Sequence, residues 1–211
     1  MKLGLISDVH GDPAALELAW SHLAALGAGR VVCAGDVVGY GPSPDLVVEF
    51  LKARQIPCVR GNHDRWTLER GPGQRDEFGG STPSAESLEY LATLPFDLLV
   101  EADGMVVLVV HGSIHDDMEF VTRERHPPRL LQGWLDDTEA DVLVVGHTHE
   151  PMFCRPCRGL VINPGSVVSS PMAWVETSRT FALLDLATLE VTHHDVATGA
   201  AVAVLPWADG A

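Results

Sequence analysis

Residues 1–10, MKLGLISDVH, join a short apolar run to the polar motif Asp8-Val9-His10. Asp12-Pro13 follows, and an aspartate cap before a proline at the first helical position is typical of a helix start. Apolar residues then recur at helical spacing as far as Gly27, and a second apolar run covers Arg30 to Ala34. A strand, a helix and another strand in this order predict a right-handed βαβ unit with parallel strands.

The rest of the chain changes from alternating elements to a succession of strands. Ser43-Pro44 begins a second predicted helix, and Ile56 to Val59 is a third predicted strand. Asp103-Gly104 separates two apolar runs, which is a strong hairpin signal, and strands dominate from Leu160 onward. Because the chain begins as α/β and ends rich in strands, we expect an α/β fold in which two β-sheets pack together with helices outside.

The length of 211 residues favours one domain, and we expect residues 1–211 to form it. Residues 65–83 contain several Gly and Pro residues and charges of both signs. We predict a loop with a little helix there, and this segment is a candidate cap or loop insertion that shapes substrate choice.

The chain is acidic, with 29 Asp and Glu against 14 Lys and Arg and a formal net charge of −15 at pH 7. An acidic surface repels phosphate backbones, so we expect no binding of long nucleic acids along a basic face. The same charge disfavours a membrane surface, and no apolar run approaches the roughly 18 residues of a membrane span. Asp8 interrupts the apolar N-terminus before a signal-peptide core could form, so we expect a cytoplasmic protein with no membrane partner.

Five apolar runs of the sequence each lead into a polar motif. In an open α/β sheet, ligands bind outside the carboxyl ends of the strands, where neighbouring parallel strands end together. We therefore expect two carboxylates, one Asn and several His to converge at one site. The motifs are Asp8-Val9-His10, Gly35-Asp36, Gly61-Asn62-His63-Asp64, His111-Gly112 and Gly146-His147-Thr148-His149.

The side chains of these motifs offer oxygen and imidazole nitrogen as donor atoms. Such a set suits Mn²⁺, Fe, Zn²⁺ or Ni²⁺ better than Cu(I) or an iron–sulfur cluster. Seven donors are more than one ion uses, so they suit two divalent ions that share a bridging carboxylate and clamp a phosphoryl group. Asp36 is the natural bridge because it lies in the middle of the set.

The ordered motifs resemble those of the calcineurin-like metallophosphoesterases, and they are most similar to the small bacterial and archaeal phosphodiesterase branch. The resemblance runs from Met1 to about Ser166, and Asn163-Pro164-Gly165-Ser166 also looks like a loop of that branch. It implies two mixed β-sheets flanked by helices, in a four-layer α/β/β/α sandwich. It also implies hydrolysis of a small phosphoester, most naturally a phosphodiester, with a metal-bridging hydroxide as nucleophile.

The resemblance further implies which residues hold the two divalent ions. The first ion would be bound by Asp8, His10, Asp36 and His149, and the second by Asp36, Asn62, His111 and His147.

His63 and Asp64 would act on the substrate rather than on the ions. His63 would stabilise the phosphoryl charge or protonate the leaving oxygen, and Asp64 would orient His63 by accepting its other ring N–H. From the residues alone, two alternatives stay open: His63 as an additional ligand or hydrogen-bond partner, and Asp64 as a helix cap.

The chain also departs from the wider superfamily. The protein phosphatase branch follows its Gly-Asp with an Asp-Arg-Gly phosphate clamp, whereas residues 35–41 here read GDVVGYG. A phosphodiester or a small phosphomonoester is therefore favoured over a phosphoprotein. Two other functions remain as alternatives: a metal-free assembly scaffold, which the complete ligand set disfavours, and a nuclease, which the acidic charge disfavours.

The sequence leaves the natural substrate, the metal and homo-oligomer formation open. It also leaves open whether several residues near the motifs line the pocket or belong to the surface. These are Tyr40, Arg65, His115, the basic cluster Arg123, Arg125 and Arg129, and the pair Cys154 and Cys157.

Overall fold

A computed structural model describes residues 1–74, 79–169 and 178–207. This part of the chain contains five helices and ten strands. The helices are α1 (Pro13–Ala25), α2 (Pro44–Ala53), α3 (Asn62–Arg70), α4 (Ala85–Thr93) and α5 (Pro128–Thr138). The strands are β1 (Lys2–Ile6), β2 (Arg30–Cys33), β3 (Asp97–Ala102), β4 (Met105–Val110), β5 (Val142–Val144), β6 (Met152–Cys154), β7 (Leu160–Asn163), β8 (Thr180–Asp185), β9 (Glu190–Asp195) and β10 (Ala201–Val202).

The strands form two mixed sheets of five strands each. The first sheet has the order β10-β9-β8-β1-β2, and only its β1–β2 pair is parallel among the pairs described. The second has the order β3-β4-β5-β7-β6, with β4, β5 and β7 parallel to one another. The predicted βαβ unit, in which α1 connects β1 to the parallel β2, is confirmed.

Three apolar clusters define the layers of the fold. Leu3 and Leu5 of the first sheet pack with Val107 and Val144 of the second, in a core between the sheets. A second cluster joins the outer face of the first sheet to α1, α2 and α4, and a third joins the second sheet to α5. The predicted α/β fold of two packed sheets flanked by helices is confirmed.

Local signals in the sequence correctly located several element ends. Oδ1 of Asp12 accepts a hydrogen bond from the backbone N–H of Ala15 at 3.0 Å, which caps α1. Asp103 and Gly104 have φ angles of 51° and 77°, so they form the left-handed two-residue turn expected between β3 and β4.

The structure differs from the expected elements at two places. Residues 56–59, predicted as a strand, contribute only the single parallel bridge between Cys33 and Cys58. Pro57 explains this, because it lacks the N–H that a continued strand would donate. The short strand β6 was not predicted, since three residues carry too little periodicity.

The segment 65–83 is partly helical, because α3 extends from Asn62 to Arg70. Residues 75–78 of the predicted cap lie outside the described part of the chain. Across the described residues, none of the helices combines the length and the apolar character needed to cross a membrane.

Candidate metal centre

The polar motifs lie at the carboxyl ends of strands from both sheets. Asp8 and Asp36 follow β1 and β2 in the first sheet, whereas His111 and His147 follow β4 and β5 in the second. Hydrogen bonds join the neighbouring loops, from the Asp8 N–H to the Gly35 carbonyl at 3.0 Å and from the Gly146 N–H to the His111 carbonyl at 2.7 Å. The two sheets therefore bring all five motifs to one rim.

The first group of donor atoms at this rim comprises Asp8, His10 and His149. Nε2 of His149 lies 3.2 Å from Oδ1 of Asp8, and Nε2 of His10 lies 3.7 Å from the same oxygen. The two imidazole nitrogens are 3.1 Å apart. All three residues offer donor atoms within 4.8 Å of one another, which is close enough to share one ion.

The second group comprises Asp36, His111 and His147, with Asn62 beside it. Their donor atoms also lie within 4.8 Å of one another. Nε2 of His111 lies 3.4 Å from Oδ2 of Asp36 and 3.0 Å from Oδ1 of Asn62. Nε2 of His147 is buried without a hydrogen-bond partner among the described residues.

The ring of His111 tests whether a cation fits this group. Its Nδ1 donates a hydrogen bond to the Ala34 carbonyl at 2.7 Å, which leaves Nε2 to face two acceptor oxygens. Without an ion, only a second proton on the ring, at Nε2, satisfies that arrangement. Burial lowers the pKa of His111, but the nearby Asp36 carboxylate outweighs burial and raises this pKa to about 10. A divalent ion would satisfy the same oxygens with a neutral imidazole, so the residues present fit a metal site.

Asp36 is a member of the second group and also lies beside His10, a member of the first. Its Oδ2 lies 3.7 Å from Nε2 of His10, and its Oδ1 accepts a hydrogen bond from the backbone N–H of His63 at 2.8 Å. Burial opposes ionisation of this carboxyl, but the charge of His111 holds its pKa below the usual value. A Cβ at Gly61 would overlap Oδ1 of Asp36, so a glycine is required where this backbone approaches the carboxylate.

Five of the seven predicted ligands have a left-handed backbone, which the sequence analysis did not anticipate. Their φ angles are 55° at Asp8, 46° at His10, 52° at Asp36, 65° at His147 and 60° at His149. Such a conformation costs about 1–3 kcal/mol for a residue with a Cβ, and it persists where the surroundings enforce it. The signal available in the sequence was only the residue type, since Asp and His tolerate this region better than most.

His63 lies on the first turn of α3, beside both groups. A donor nitrogen of its ring is within 4.8 Å of donor atoms of His10 and Asp36. The ring centroid is 4.8 Å from that of His10 and 4.9 Å from that of Trp66.

The carboxylate of Asp64 is buried beneath the first turn of α3. It accepts hydrogen bonds from the backbone N–H groups of Gly61 and Val38, each at 2.9 Å. The bond from Gly61, the residue before the helix, is the contact expected if Asp64 caps α3. Burial and the charge of Asp36 raise the pKa of Asp64 to about 7. Asp64 thus ties the helix that carries His63 to the loop after Asp36.

Tyr40 and Phe120 extend the rim with aromatic rings. The Tyr40 ring stacks on His10 at 4.1 Å, and its hydroxyl is buried without a hydrogen-bond partner among the described residues. Burial and the charges of Asp8 and Asp36 raise the pKa of Tyr40, so the hydroxyl keeps its proton. Phe120, whose role the sequence did not signal, lies 4.4 Å from His147.

Several of the other residues left open by the sequence have contacts with the surrounding protein. Arg65 forms a two-pronged ion pair with Asp117, at 2.7 Å and 2.8 Å. Arg123 donates a hydrogen bond to the carbonyl of Pro206 at 3.2 Å, and His115 is exposed near Trp134. Cys154 is buried in β6, whereas Cys157 is exposed.

Comparisons with known proteins agree with this geometry. Residues 1–189 match the family model of the calcineurin-like phosphoesterase superfamily domain. Phosphodiesterase YfcE of Escherichia coli is 30% identical over 178 residues, which cover 79% of either chain. A probable metallophosphoesterase of Methanothermobacter thermautotrophicus is 29% identical over 168 residues, covering 79% of this chain and 77% of the relative.

A solved structure agrees as well. The crystal structure of a metallophosphoesterase from Sphaerobacter thermophilus has a TM-score of 0.72 and 28% identity, covering 92% of this chain and 87% of that one. The matched family region contains all five motifs at the rim. The resemblance inferred from the motifs is thereby confirmed, and the chain belongs to the calcineurin-like phosphoesterase superfamily, a family of phosphoester hydrolases.

Proposed function

We propose that this protein is a phosphodiesterase that acts on a small substrate and depends on two divalent metal ions. The observation that carries the proposal is the position of Asp36, whose carboxylate lies 3.4 Å from His111 of its own donor group and 3.7 Å from His10 of the other. A carboxylate placed in this way can bridge two ions, which is the arrangement that suits phosphoryl transfer.

In this proposal seven side chains hold the ions. Asp8, His10, Asp36 and His149 bind one ion, and Asp36, Asn62, His111 and His147 bind the other. Mn²⁺, Fe, Zn²⁺ and Ni²⁺ all suit these donors. When bound, the ions stabilise charge on the phosphoryl oxygens and lower the pKa of a water to the neutral range.

His63 supplies the proton chemistry of the substrate's leaving group. Its backbone N–H is held by Asp36, and α3 fixes its ring beside the donor groups. From there the imidazolium stabilises developing charge or gives a proton to the leaving oxygen, so that an alcohol departs and a phosphomonoester remains. Asp64 supports this role by fixing the first turn of α3.

The substrate is expected to be small. An acidic chain with net charge −15 repels a polyanion that must lie along its surface, whereas a single phosphodiester has only to reach the cationic centre. The name of the Escherichia coli relative, a phosphodiesterase, supports a diester over a monoester. A cytoplasmic location, consistent with the absence of disulfides among the four Cys residues described, completes the proposal.

Hydrolysis of bis-p-nitrophenyl phosphate tests the proposal. We expect turnover with added Mn²⁺, none after chelation, and recovery when the metal is restored. A protein that binds no divalent ion and is rescued by none would be a scaffold instead. Cleavage of long DNA or RNA at physiological salt would contradict the charge argument and favour the nuclease alternative.

A further inference from the structure

The loop Asn163-Pro164-Gly165-Ser166, which begins at the last residue of β7, contacts both halves of the candidate metal centre. Nδ2 of Asn163 donates hydrogen bonds to the carbonyl of Gly146 at 2.7 Å and to Oγ1 of Thr148 at 3.0 Å. These two residues flank His147 in the loop after β5. A single side-chain amide thus holds the segment that carries two predicted ligands, His147 and His149.

The other end of the loop reaches the first sheet. Oγ of Ser166 lies 2.9 Å from the carbonyl of Asp8 and 2.8 Å from that of Val168, so its proton can be donated to either oxygen. Ser166 and Asn163 are both fully buried. The loop therefore bridges the two sheets at the backbone of one predicted ligand, Asp8, and at the loop that carries two others.

The backbone that these contacts hold is the strained one. Asp8, His147 and His149 have φ angles of 55°, 65° and 60°. Left-handed residues of this kind cost about 1–3 kcal/mol each and persist only when neighbouring contacts over-determine them. The hydrogen bonds of Asn163 and Ser166 are contacts of that kind.

The loop is itself held in place by hydrogen bonds and close packing. Oδ1 of Asn163 accepts a hydrogen bond from the Gly165 N–H at 2.8 Å, and the Asn163 carbonyl accepts one from Nε2 of His193 at 2.8 Å. Gly165 has a φ of 78°, and a Cβ there would overlap Oγ1 of Thr180. Oγ1 of Thr180 in turn donates to the Pro164 carbonyl at 2.8 Å.

We propose that Asn163 and Ser166 are positioning residues that hold Asp8, His147 and His149 in metal-binding geometry before an ion arrives. This inference rests on the proposed function, because it assigns those three residues to the metal. An amide is needed at position 163 because it donates twice and accepts once at the same place. An ionised Asp of the same shape could only accept, and it would place its negative charge against the partial negative charge of the Gly146 carbonyl oxygen.

Metal affinity of the full-length chain tests the proposal. Mn²⁺ is titrated calorimetrically into the metal-stripped wild type and into Asn163→Asp and Ser166→Ala. We expect each variant to bind Mn²⁺ about 10- to 100-fold more weakly, the range seen when a residue supporting a metal ligand is lost. Hydrolysis should recover at saturating Mn²⁺ with an unchanged KM, because neither side chain touches the substrate.

Ser7→Ala is the matched control. Ser7 precedes Asp8 and is fully buried, but its Oγ has no hydrogen-bond partner among the described residues. Removing it deletes the same atom beside the same ligand without removing a support, so Mn²⁺ affinity should equal that of the wild type. If Asn163→Asp fails to fold, the comparison of Ser166→Ala with Ser7→Ala decides.

The outcomes separate this inference from the function on which it rests. Wild-type affinity in folded Ser166→Ala and Asn163→Asp, accompanied only by a lower unfolding temperature, would assign both residues to general stability and overturn the inference. Equal weakening by Ser166→Ala and Ser7→Ala would overturn it as well. A wild type that binds none of Mn²⁺, Fe²⁺, Zn²⁺ and Ni²⁺ would instead refute the proposed function.

Discussion

Oδ2 of Asp36 lies 3.4 Å from Nε2 of His111, and the other nitrogen of that ring donates to the Ala34 carbonyl. The ring is therefore fixed with one nitrogen directed at the carboxylate. Asp36 therefore places a negative charge next to the His111 ring, and this charge stabilises a cation bound there.

Asp36→Asn is expected to lose metal and activity together. An amide keeps the shape of the side chain but removes the negative charge and one of the two acceptor oxygens between His10 and His111. Loss of a residue that only supports a metal ligand costs up to about 100-fold, and we expect the rate of hydrolysis to fall by more than that. Elemental analysis measures the metal content of the variant. Asp97→Asn, an exposed carboxylate at the start of β3, should change neither; wild-type metal content in Asp36→Asn would contradict the bridging role.

His63→Ala is expected to separate metal binding from catalysis. The side chain is proposed to serve the leaving group, so the variant should keep its metal and lose about 10²- to 10⁴-fold in kcat. The loss should be larger for alkyl esters than for p-nitrophenyl esters, because a poor leaving oxygen needs the proton more. His115→Ala, an exposed histidine, provides the control; equal metal loss in His63→Ala would make His63 a ligand.

The ion pair of Arg65 with Asp117 is expected to fix α3 against the loop that follows His111. The guanidinium meets both carboxylate oxygens, at 2.7 Å and 2.8 Å, across 52 positions of the chain. A double-mutant cycle of Arg65→Ala and Asp117→Asn in chemical denaturation should give a coupling of about 1 kcal/mol. If Arg65 bound the substrate phosphate instead, Arg65→Ala alone would raise KM and Asp117→Asn would not.

The pH dependence of stability should report the buried His193. Burial lowers the pKa of His193 to about 4, from an ordinary value of 6.5 in the unfolded chain. Between those values the unfolded state binds a proton that the native state does not, so unfolding becomes easier as the pH falls. The slope from this group is at most about 1.4 kcal/mol per pH unit, and it vanishes above the unfolded pKa.

His193→Gln is the test of that assignment. The difference in unfolding free energy between wild type and variant should be independent of pH above about pH 7 and should change below it as the wild type loses stability. Denaturant titrations from pH 8 to pH 4.5 would measure this difference. A constant difference across the range would mean that His193 is protonated equally in both states.

The positions of Asp8, Asp36, His111 and His147 could be anticipated because each follows an apolar run. Strand ends that lie side by side bring their following residues together, and that argument needs only the pattern. The two-sheet architecture followed in the same way from the change between alternating and strand-rich sequence.

Other features depend on contacts between distant residues and could not be read from a local pattern. The Arg65–Asp117 pair and the support of Gly146 by Asn163 join segments without a shared signal. The absence of a strand at residues 56–59 could have been predicted from the sequence. Pro57 lies within that apolar run and has no backbone N–H to donate to a neighbouring strand.

Asp36 is proposed to join two metal sites in one chain. Electron paramagnetic resonance of the Mn²⁺-loaded protein, with the bound metal counted by elemental analysis, tests it most directly. We expect two Mn²⁺ per chain with the spectrum of an exchange-coupled pair, and loss of that coupling in Asp36→Asn. One ion per chain, or two ions with the spectrum of isolated Mn²⁺, would contradict it.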